Sequence, residues 1–192
     1  MSELFPDEIV TERLRLVRES VAECDLGERY EAMSTEAVAD DELAYVPLEP
    51  FEHLRDAREF VGQREERMAS GDAGTYVVRP REGEAGAGEV AGEAELFAIW
   101  DERTAFVTFG LRKRFWGRGY SGERAATLLR LAFERLDLEL VSVTHIAGNE
   151  NSRRAIRKYV DRFDGERVGR FRNQHVVDGE PRDLLRYEIA RE

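Results

Sequence analysis

The feature that most constrains the fold is a glycine-rich segment between a strand-like run and a helix. The segment Arg114–Glu123 reads RFWGRGYSGE and follows the apolar run Ala105–Leu111. It precedes an amphipathic helix predicted over Glu123–Leu136. A glycine-rich turn at a helix start exposes unpaired backbone N–H groups at the positive end of the helix dipole. The pattern therefore predicts a pyrophosphate-binding turn, and we call residues 117–122 the glycine turn.

Hydrophobic periodicity divides the rest of the chain into alternating elements. An acidic loop is expected over 40–50 and a hairpin loop over 81–88. The order of elements indicates one mixed α/β domain spanning residues 1–192. Strands are predicted over 9–17, 75–79, 89–100, 104–111 and 138–146, helices over 20–33, 51–69, 123–136 and 149–159, and a closing hairpin over 163–172 and 184–190 around Asp178-Gly179.

Composition excludes several classes of protein. The 192 residues carry a net charge of −11, which disfavours a nucleic-acid-binding face. The start of the chain lacks an apolar signal region, and no run is long enough for a membrane span, so a cytoplasmic protein is expected. Cys24 is the single cysteine, which leaves no intrachain disulfide and no cysteine-rich metal site. The acidic surface, with Lys113 and Lys158 as the only lysines, is also typical of a halophilic protein.

Three motifs together resemble a known family. The turn matches Arg-x-x-Gly-x-Gly at Arg114, Gly117 and Gly119, and an Asn-x-x-Ser motif, Asn149 to Ser152, opens the next helix. The third motif is in the tail, which carries ERVGRFR at 166–172 ahead of Asp178-Gly179. The chain resembles the GNAT superfamily of acyl-CoA-dependent N-acetyltransferases. It is most similar to the subgroup that acetylates the N-termini of ribosomal proteins, the RimJ/RimL type, which the opening TERLRL at 11–16 also resembles.

The resemblance implies a GNAT-type fold, with a central, mostly antiparallel and splayed sheet flanked by helices. Acetyl-CoA would be the acyl donor, and a homodimer is also implied. The amides of the glycine turn would hold the pyrophosphate of CoA, and the end of the strand predicted over 104–111 would pair with its pantetheine arm. Basic side chains near the turn would bind the phosphates. The implied donor-binding residues are Phe109, Gly110, Leu111, Arg112, Arg114, Gly117, Arg118, Gly119, Tyr120, Ser121, Gly122, Asn149 and Ser152.

Acetylation of an amine requires that the amine first lose a proton. A peptide α-amine, with a pKa of about 7.7–8.0, needs only about 1 kcal/mol to deprotonate at pH 7, whereas a lysine at about 10.4 needs about 4–5 kcal/mol. Glu93 and Glu95 are the candidate bases, because their i, i+2 spacing on a strand puts both on one face. A partly desolvated carboxylate there is expected to have a raised pKa. A solvated face of an acidic sheet is the alternative.

The other proton is required by the departing thiolate. Ser152 is the candidate that protonates or hydrogen-bonds the thiolate of CoA, although a serine near a helix start is often a cap. Ile156 occupies the position where many GNAT enzymes carry a catalytic tyrosine, and Val160-Asp161 replaces their Gly-Phe pair, so the helix is expected to run about two residues further. Tyr159 is either a displaced acid or a packing residue.

Two other functions are compatible with the residues. Gly117–Gly122 is also a literal G-x-G-x-x-G, which in a different context indicates a dinucleotide-binding protein. Residues 112–116 separate it from the preceding strand, and no carboxylate ends the next one, which disfavours that reading. A non-catalytic module that binds acyl-CoA or a peptide is the second alternative. No spacing of His, Asp or Glu suggests a metal site, and the acceptor amine, such as a peptide or protein N-terminus, stays undetermined.

Overall fold

A computed structural model describes residues 4–34, 45, 49–177 and 179–191. The predicted acidic loop over 40–50 lies largely outside them. The strands are β1 (Glu8–Val10), β2 (Leu14–Arg18), β3 (Ala73–Pro80), β4 (Gly92–Ile99), β5 (Thr104–Leu111), β6 (Leu140–Ile146), β7 (Glu166–Val177) and β8 (Glu180–Ala190). The helices are α1 (Leu26–Met33), α2 (Leu54–Ser70), α3 (Tyr120–Arg130) and α4 (Glu150–Arg162).

All eight strands form one sheet in the order β1-β2-β3-β4-β5-β6-β8-β7. Every neighbouring pair is antiparallel except β5 and β6, which are parallel and joined through α3. The predicted mixed α/β fold, with a mostly antiparallel sheet flanked by helices, is confirmed. No helix in the described part of the chain combines the length and the apolar character needed to span a bilayer.

The two faces of the sheet differ in chemistry. Tyr76, Ala94 and Leu96 belong to the main apolar core with Leu128 of α3, and all four are fully buried. Because side chains alternate along a strand, the residues between them point to the opposite face, which α1 and α2 cover. That face holds only a small apolar cluster, so charged side chains occupy much of the space beneath the two helices.

The start of the chain differs from the prediction in two places. The single strand predicted over 9–17 is two strands, because a tight turn in which the amide of Thr11 donates to the carbonyl of Leu14 at 2.9 Å reverses the chain. The helix predicted over 20–33 begins only at Leu26. Asp25 caps it by accepting from the amides of Gly27 and Glu28, so residues 21–24 before it stay in turns and bends.

The later boundaries shift less. Helix α3 begins at Tyr120 and passes at Arg130 into a π-helical segment, Leu131–Arg135, within the helix predicted over 123–136. Helix α4 extends beyond Tyr159 to Arg162, as expected from the displaced Phe163. The final hairpin strands are longer than predicted, and they turn between Val177 and Glu180.

Candidate functional site

The sheet opens between β5 and β6. Their parallel pairing runs from Thr104↔Leu140 to Val107↔Val143 and stops there, although both strands continue. The last four residues of β5, Thr108–Leu111, therefore have no strand partner on that side. We call them the donor segment. Among them are Phe109, Gly110 and Leu111, and the glycine turn follows a few residues later.

The glycine turn has the backbone conformation that its sequence requires. Gly117 and Gly119 adopt φ values of 76° and 81°, in the left-handed region that favours glycine. Gly119 caps α3, so the first amides of the helix, from Tyr120 onward, lack intrahelical partners. At Gly122 a Cβ atom would meet no atom within 4 Å. The turn thus presents backbone donors to an open surface.

A latch from the beginning of the chain fixes the turn. Glu123 accepts a hydrogen bond of 2.5 Å from the hydroxyl of Thr11 and bonds of 2.8 Å from the backbone amide and the Nε of Arg13. The same guanidinium donates to the carbonyl of Arg118 at 2.7 Å. Burial alone would raise the pKa of Glu123, but these hydrogen bonds lower it below its usual value. The turn is therefore held by contacts over 100 residues away in sequence.

The basic side chains around the glycine turn contact other residues of the same chain. Arg114 forms an ion pair with Glu89, and Arg118 donates to the carbonyl of Ala85 at 2.7 Å. Both guanidinium groups stack on the ring of Phe115. Arg112 lies nearby and makes a long contact of 3.5 Å to the carbonyl of Val90. These arginines attach the loop between β3 and β4 to the glycine turn. Binding of the CoA phosphates by their side chains stays a prediction.

The predicted donor-binding residues of α3 contribute differently. The side chain of Tyr120 is fully buried, and its hydroxyl donates to Glu84 at 2.6 Å, so it anchors the helix to the same loop. The hydroxyl of Ser121 lies 3.5 Å from a nitrogen of the buried Arg124. The backbone amides of these two residues lie in the first turn of α3 and lack intrahelical acceptors.

Asn149 and Ser152 meet at the start of α4. Asn149 is the helix cap, and its Oδ1 accepts from the backbone amide of Ser152 at 2.9 Å. The serine is therefore the capped residue and not the cap. Its side chain is half-buried, and Ile156 one turn later is buried in the core. Helix α4 follows β6, which lies across the opening from the donor segment.

Glu93 and Glu95 lie on one face of β4, as the alternation predicts. The strand register pairs Glu93 with Gly110 and Glu95 with Thr108, so both stand beside the donor segment. Their carboxylates point toward the face that α1 and α2 cover. Arg64 lies 3.1 Å from Glu93, which also pairs with Arg29.

These two glutamates belong to a larger buried cluster. The guanidinium groups of Arg29 and Arg64 both lie over the ring of Phe60, with each guanidinium carbon about 5 Å from its centre. Burial lowers the pKa of Arg29 and of Arg64, and the nearby carboxylates oppose that effect. We call the cluster the ion network, and its members are Glu19, Arg29, Arg64, Arg67, Glu93 and Glu95.

The arginines of this network were not predicted from the sequence. Arg64 could have been found from helical spacing, because it lies three residues after Val61 and four before Met68, both buried positions of α2. A charged residue in an apolar stripe marks a buried charge that needs partners. Arg29 on the short α1 carries no comparable signal. Among the described residues, no cluster of three or more His, Cys, Asp or Glu side chains could hold a metal ion.

Comparison with known proteins agrees with this geometry. A profile of the Acetyltransferase (GNAT) domain matches residues 13–159, which include the β5–β6 opening, the glycine turn and the ion network. The chain belongs to this acetyltransferase family, whose acyl donor is acetyl-CoA. No curated protein matches the chain by sequence.

Solved structures share the fold at low identity. A GNAT acetyltransferase from Bacillus anthracis aligns with a TM-score of 0.74 and 21% identity, covering 95% of this chain and 98% of that one. The Microcin C7 self-immunity acetyltransferase MccE, in complex with acetyl-CoA and AMP, gives 0.79 and 15%, covering 98% and 99%. A structure from Vibrio cholerae, provisionally assigned as a ribosomal-protein-serine acetyltransferase, gives 0.71 and 18%, covering 97% and 99%.

Proposed function

We propose that this chain is an N-acetyltransferase that moves an acetyl group from acetyl-CoA to a primary amine, with the N-terminus of a protein or peptide as the acceptor. One observation carries the proposal. Pairing between β5 and β6 stops at Val107, so Thr108–Leu111 have no strand partner on the side of β6, shortly before the glycine turn in the chain. An extended pantetheine arm would add to this edge like a strand, while the turn amides hold the pyrophosphate.

The acceptor class rests on chemistry. An α-amine loses its proton far more easily than a lysine side chain at neutral pH. Glu93 is the proposed base, because it pairs with Gly110 of the donor segment, and Glu95 lies one step further along β4. As an ionised carboxylate it would accept the proton of the amine directly or through water. Direct attack of the amine on bound acetyl-CoA needs no nucleophilic residue of the enzyme.

A matched pair of variants tests the donor site. Gly122→Trp places a large side chain over the turn, whereas Gly122→Ala fills open space in a helix, where alanine is well tolerated. Titration calorimetry with acetyl-CoA should show micromolar binding to the wild type and to Gly122→Ala, and at least a 100-fold loss in Gly122→Trp. Circular dichroism checks that each variant is folded. Equal binding by all three would remove the donor site from this turn.

Turnover then identifies the acceptor. A peptide with a free N-terminal serine and one internal lysine offers both amines, and mass spectrometry locates the acetyl group. Acetylation of the α-amine supports the proposal, and the same peptide with a blocked N-terminus should be inert. Modification of the lysine alone would contradict the acceptor class. Binding of acetyl-CoA without turnover of any amine would instead favour a non-catalytic acyl-CoA-binding module.

A further inference from the structure

Arg186 of β8 is a cation held against two aromatic rings. Its guanidinium carbon lies 4.4 Å from the centre of the Phe171 ring and 5.1 Å from the centre of the Phe106 ring. The residue is half-buried, and its Nε is fully buried. No hydrogen bond or ion pair joins this guanidinium to a residue that the structure describes. A guanidinium carries five N–H donors, so the two rings fix a cation whose donors have no partner in the described chain.

The irregular pairing of β7 makes room for this arrangement. Gly169 is the register partner of Arg186, and a Cβ atom at Gly169 would lie only 3.2 Å from the Phe171 ring. The register shifts between Arg167 and Gly169, and again between Phe171 and His175. Bulges of this kind bend a strand and redirect its side chains. The glycine and the two shifts therefore let the Phe171 ring lie against the guanidinium.

The guanidinium lies on the face of the sheet that carries the proposed base. Val107 points into the apolar core, so its neighbours Phe106 and Thr108 point to the opposite face, which is that of Glu93. Because β6 separates β8 from β5 in the sheet, Arg186 must reach across β6 to contact Phe106. Thr108 is the first residue of the donor segment. The cation is therefore held by a residue only two positions before the β5–β6 opening.

This part of the face offers the cation no carboxylate. Helix α2 packs on β3, and neither α1 nor α2, as far as the structure describes them, packs extensively on β6 or β8. Glu188 lies two residues after Arg186 on the same face, but its carboxylate accepts from the hydroxyl of Ser142 at 3.2 Å. Asp183 pairs with Arg170 at 2.6 Å. A fixed cation without an anion suits a carboxylate that arrives with a ligand, because such charged hydrogen bonds are strong.

We propose that Arg186 selects the acceptor by binding a carboxylate close to its reacting amine, so that the preferred acceptor is a peptide with an acidic side chain near its N-terminus. This inference rests on the proposed function and deepens it. Phe106 lies four residues before Gly110, the register partner of Glu93, which is about 13 Å along a strand. An extended peptide covers that distance in about four residues. An acidic side chain at the third or fourth position of the acceptor would therefore reach the guanidinium.

A series of peptides measures this preference. Each short peptide begins with a free serine and carries one glutamate at the second, third, fourth or sixth position of a neutral sequence, and each has a matched glutamine peptide. With wild-type enzyme and saturating acetyl-CoA, kcat/KM for glutamate at the third or fourth position should exceed that for glutamine about tenfold, because a carboxylate binds guanidinium more strongly than an amide does. The difference should lie mainly in KM, since the contact forms before reaction. Glutamate at the sixth position should give no advantage.

Substitution of Arg186 tests whether this side chain makes the choice. Arg186→Gln should reduce the ratio of glutamate to glutamine rates to about one, and Arg186→Lys should keep part of it. Arg186→Glu should favour a peptide with lysine at the same position over the glutamate peptide. Arg182→Gln is the matched control, because Arg182 is exposed on the same face of β8 but lies beyond the residues that pair with β6. It should keep the wild-type ratio. Circular dichroism checks that every variant is folded.

The outcomes separate this inference from the proposed function. If the wild type acetylates the glutamate and glutamine peptides equally well at every position, the inference is wrong and the proposed function stands. A preference for glutamate that survives in Arg186→Gln would also overturn it, because another group would then bind the carboxylate. Binding of acetyl-CoA by folded wild-type protein without acetylation of any peptide would overturn both.

Discussion

The proposed donor side, which is the glycine turn with the donor segment, and the proposed acceptor side, which is the ion network beneath α1 and α2, are built in different ways. On the donor side, the glycine turn and the donor segment present backbone groups, so the local chain conformation makes the site. On the acceptor side, buried arginines and glutamates from α1, α2, β4 and the segment before α1 neutralise one another. A backbone site tolerates changes of side chain but not of shape. A site of buried paired charges depends on the charge of each side chain and on the geometry of each pair.

The largest expected effect is on the acceptor side. Arg64→Met keeps most of the side-chain volume but leaves Glu93 and Glu95 with fewer cations. Breaking a buried pair by removing one partner costs about 3–5 kcal/mol, and urea denaturation measures that loss. Arg55→Met on the same helix is the control, because Arg55 is exposed and pairs with Glu59 at the surface. Equal stability of the two variants would show that the network is not needed for folding.

The next effect tests shape on the donor side. In Gly92→Ala the new Cβ would lie 2.2 Å from the carbonyl oxygen of Gly110, so β4 and β5 must move apart. Overpacking of this kind costs about 3 kcal/mol. Gly110→Ala meets nothing within 4 Å and should change the free energy of unfolding by less than about 0.5 kcal/mol. Thermal unfolding distinguishes them, and a stable Gly92→Ala would contradict the close approach.

The smallest effect concerns the latch between the beginning of the chain and the glycine turn. Glu123→Gln should lose about 1.5 kcal/mol at pH 7, because the neutral amide accepts more weakly from Arg13 and Thr11. The folded pKa of Glu123 is lowered, so this stabilisation is present above the unfolded pKa of about 4.3 and disappears as the pH falls through the folded pKa. The free energies of unfolding of the wild type and Glu123→Gln, measured by denaturation from pH 7 to pH 3, should therefore become equal as the pH falls.

The surface residue Glu59 provides the comparison for that experiment. Glu59→Gln alters an exposed pair, and its stability curve should follow the wild type at every pH. A constant gap between Glu123→Gln and the wild type down to pH 3 would show that the charge of Glu123 is not what holds the turn.

The difference between the two sides explains what the sequence could predict. The strand, the glycine turn and the following helix are adjacent in the chain, and left-handed φ at Gly117 and Gly119 is a local requirement that glycine spacing reveals. The order of elements and the fold class followed from the same local patterns. The helix predicted over 20–33 failed because Asp25 as a cap outweighs the residues before it.

The acceptor side could not be predicted in the same way. Glu93 and Glu95 were found, but their partners come from α1 and α2, which are separated from β4 by dozens of residues. Hydrophobic periodicity along the sequence does not indicate which arginine forms an ion pair with which carboxylate. Arg124 was also overlooked, because its place in an amphipathic helix resembles that of any surface arginine, and only the packing shows it enclosed beneath Phe109.

The latch at Glu123 has a consequence for how the chain folds. It joins residues separated by 110 positions, so the entropy of closing a long loop must be overcome before the contact forms. Contacts of such large sequence separation slow folding. The glycine turn can form early as a local structure, but it gains its final support only when the first two strands dock on the sheet. If the turn binds acetyl-CoA as proposed, we expect that capacity to appear late in folding, after the first two strands have docked.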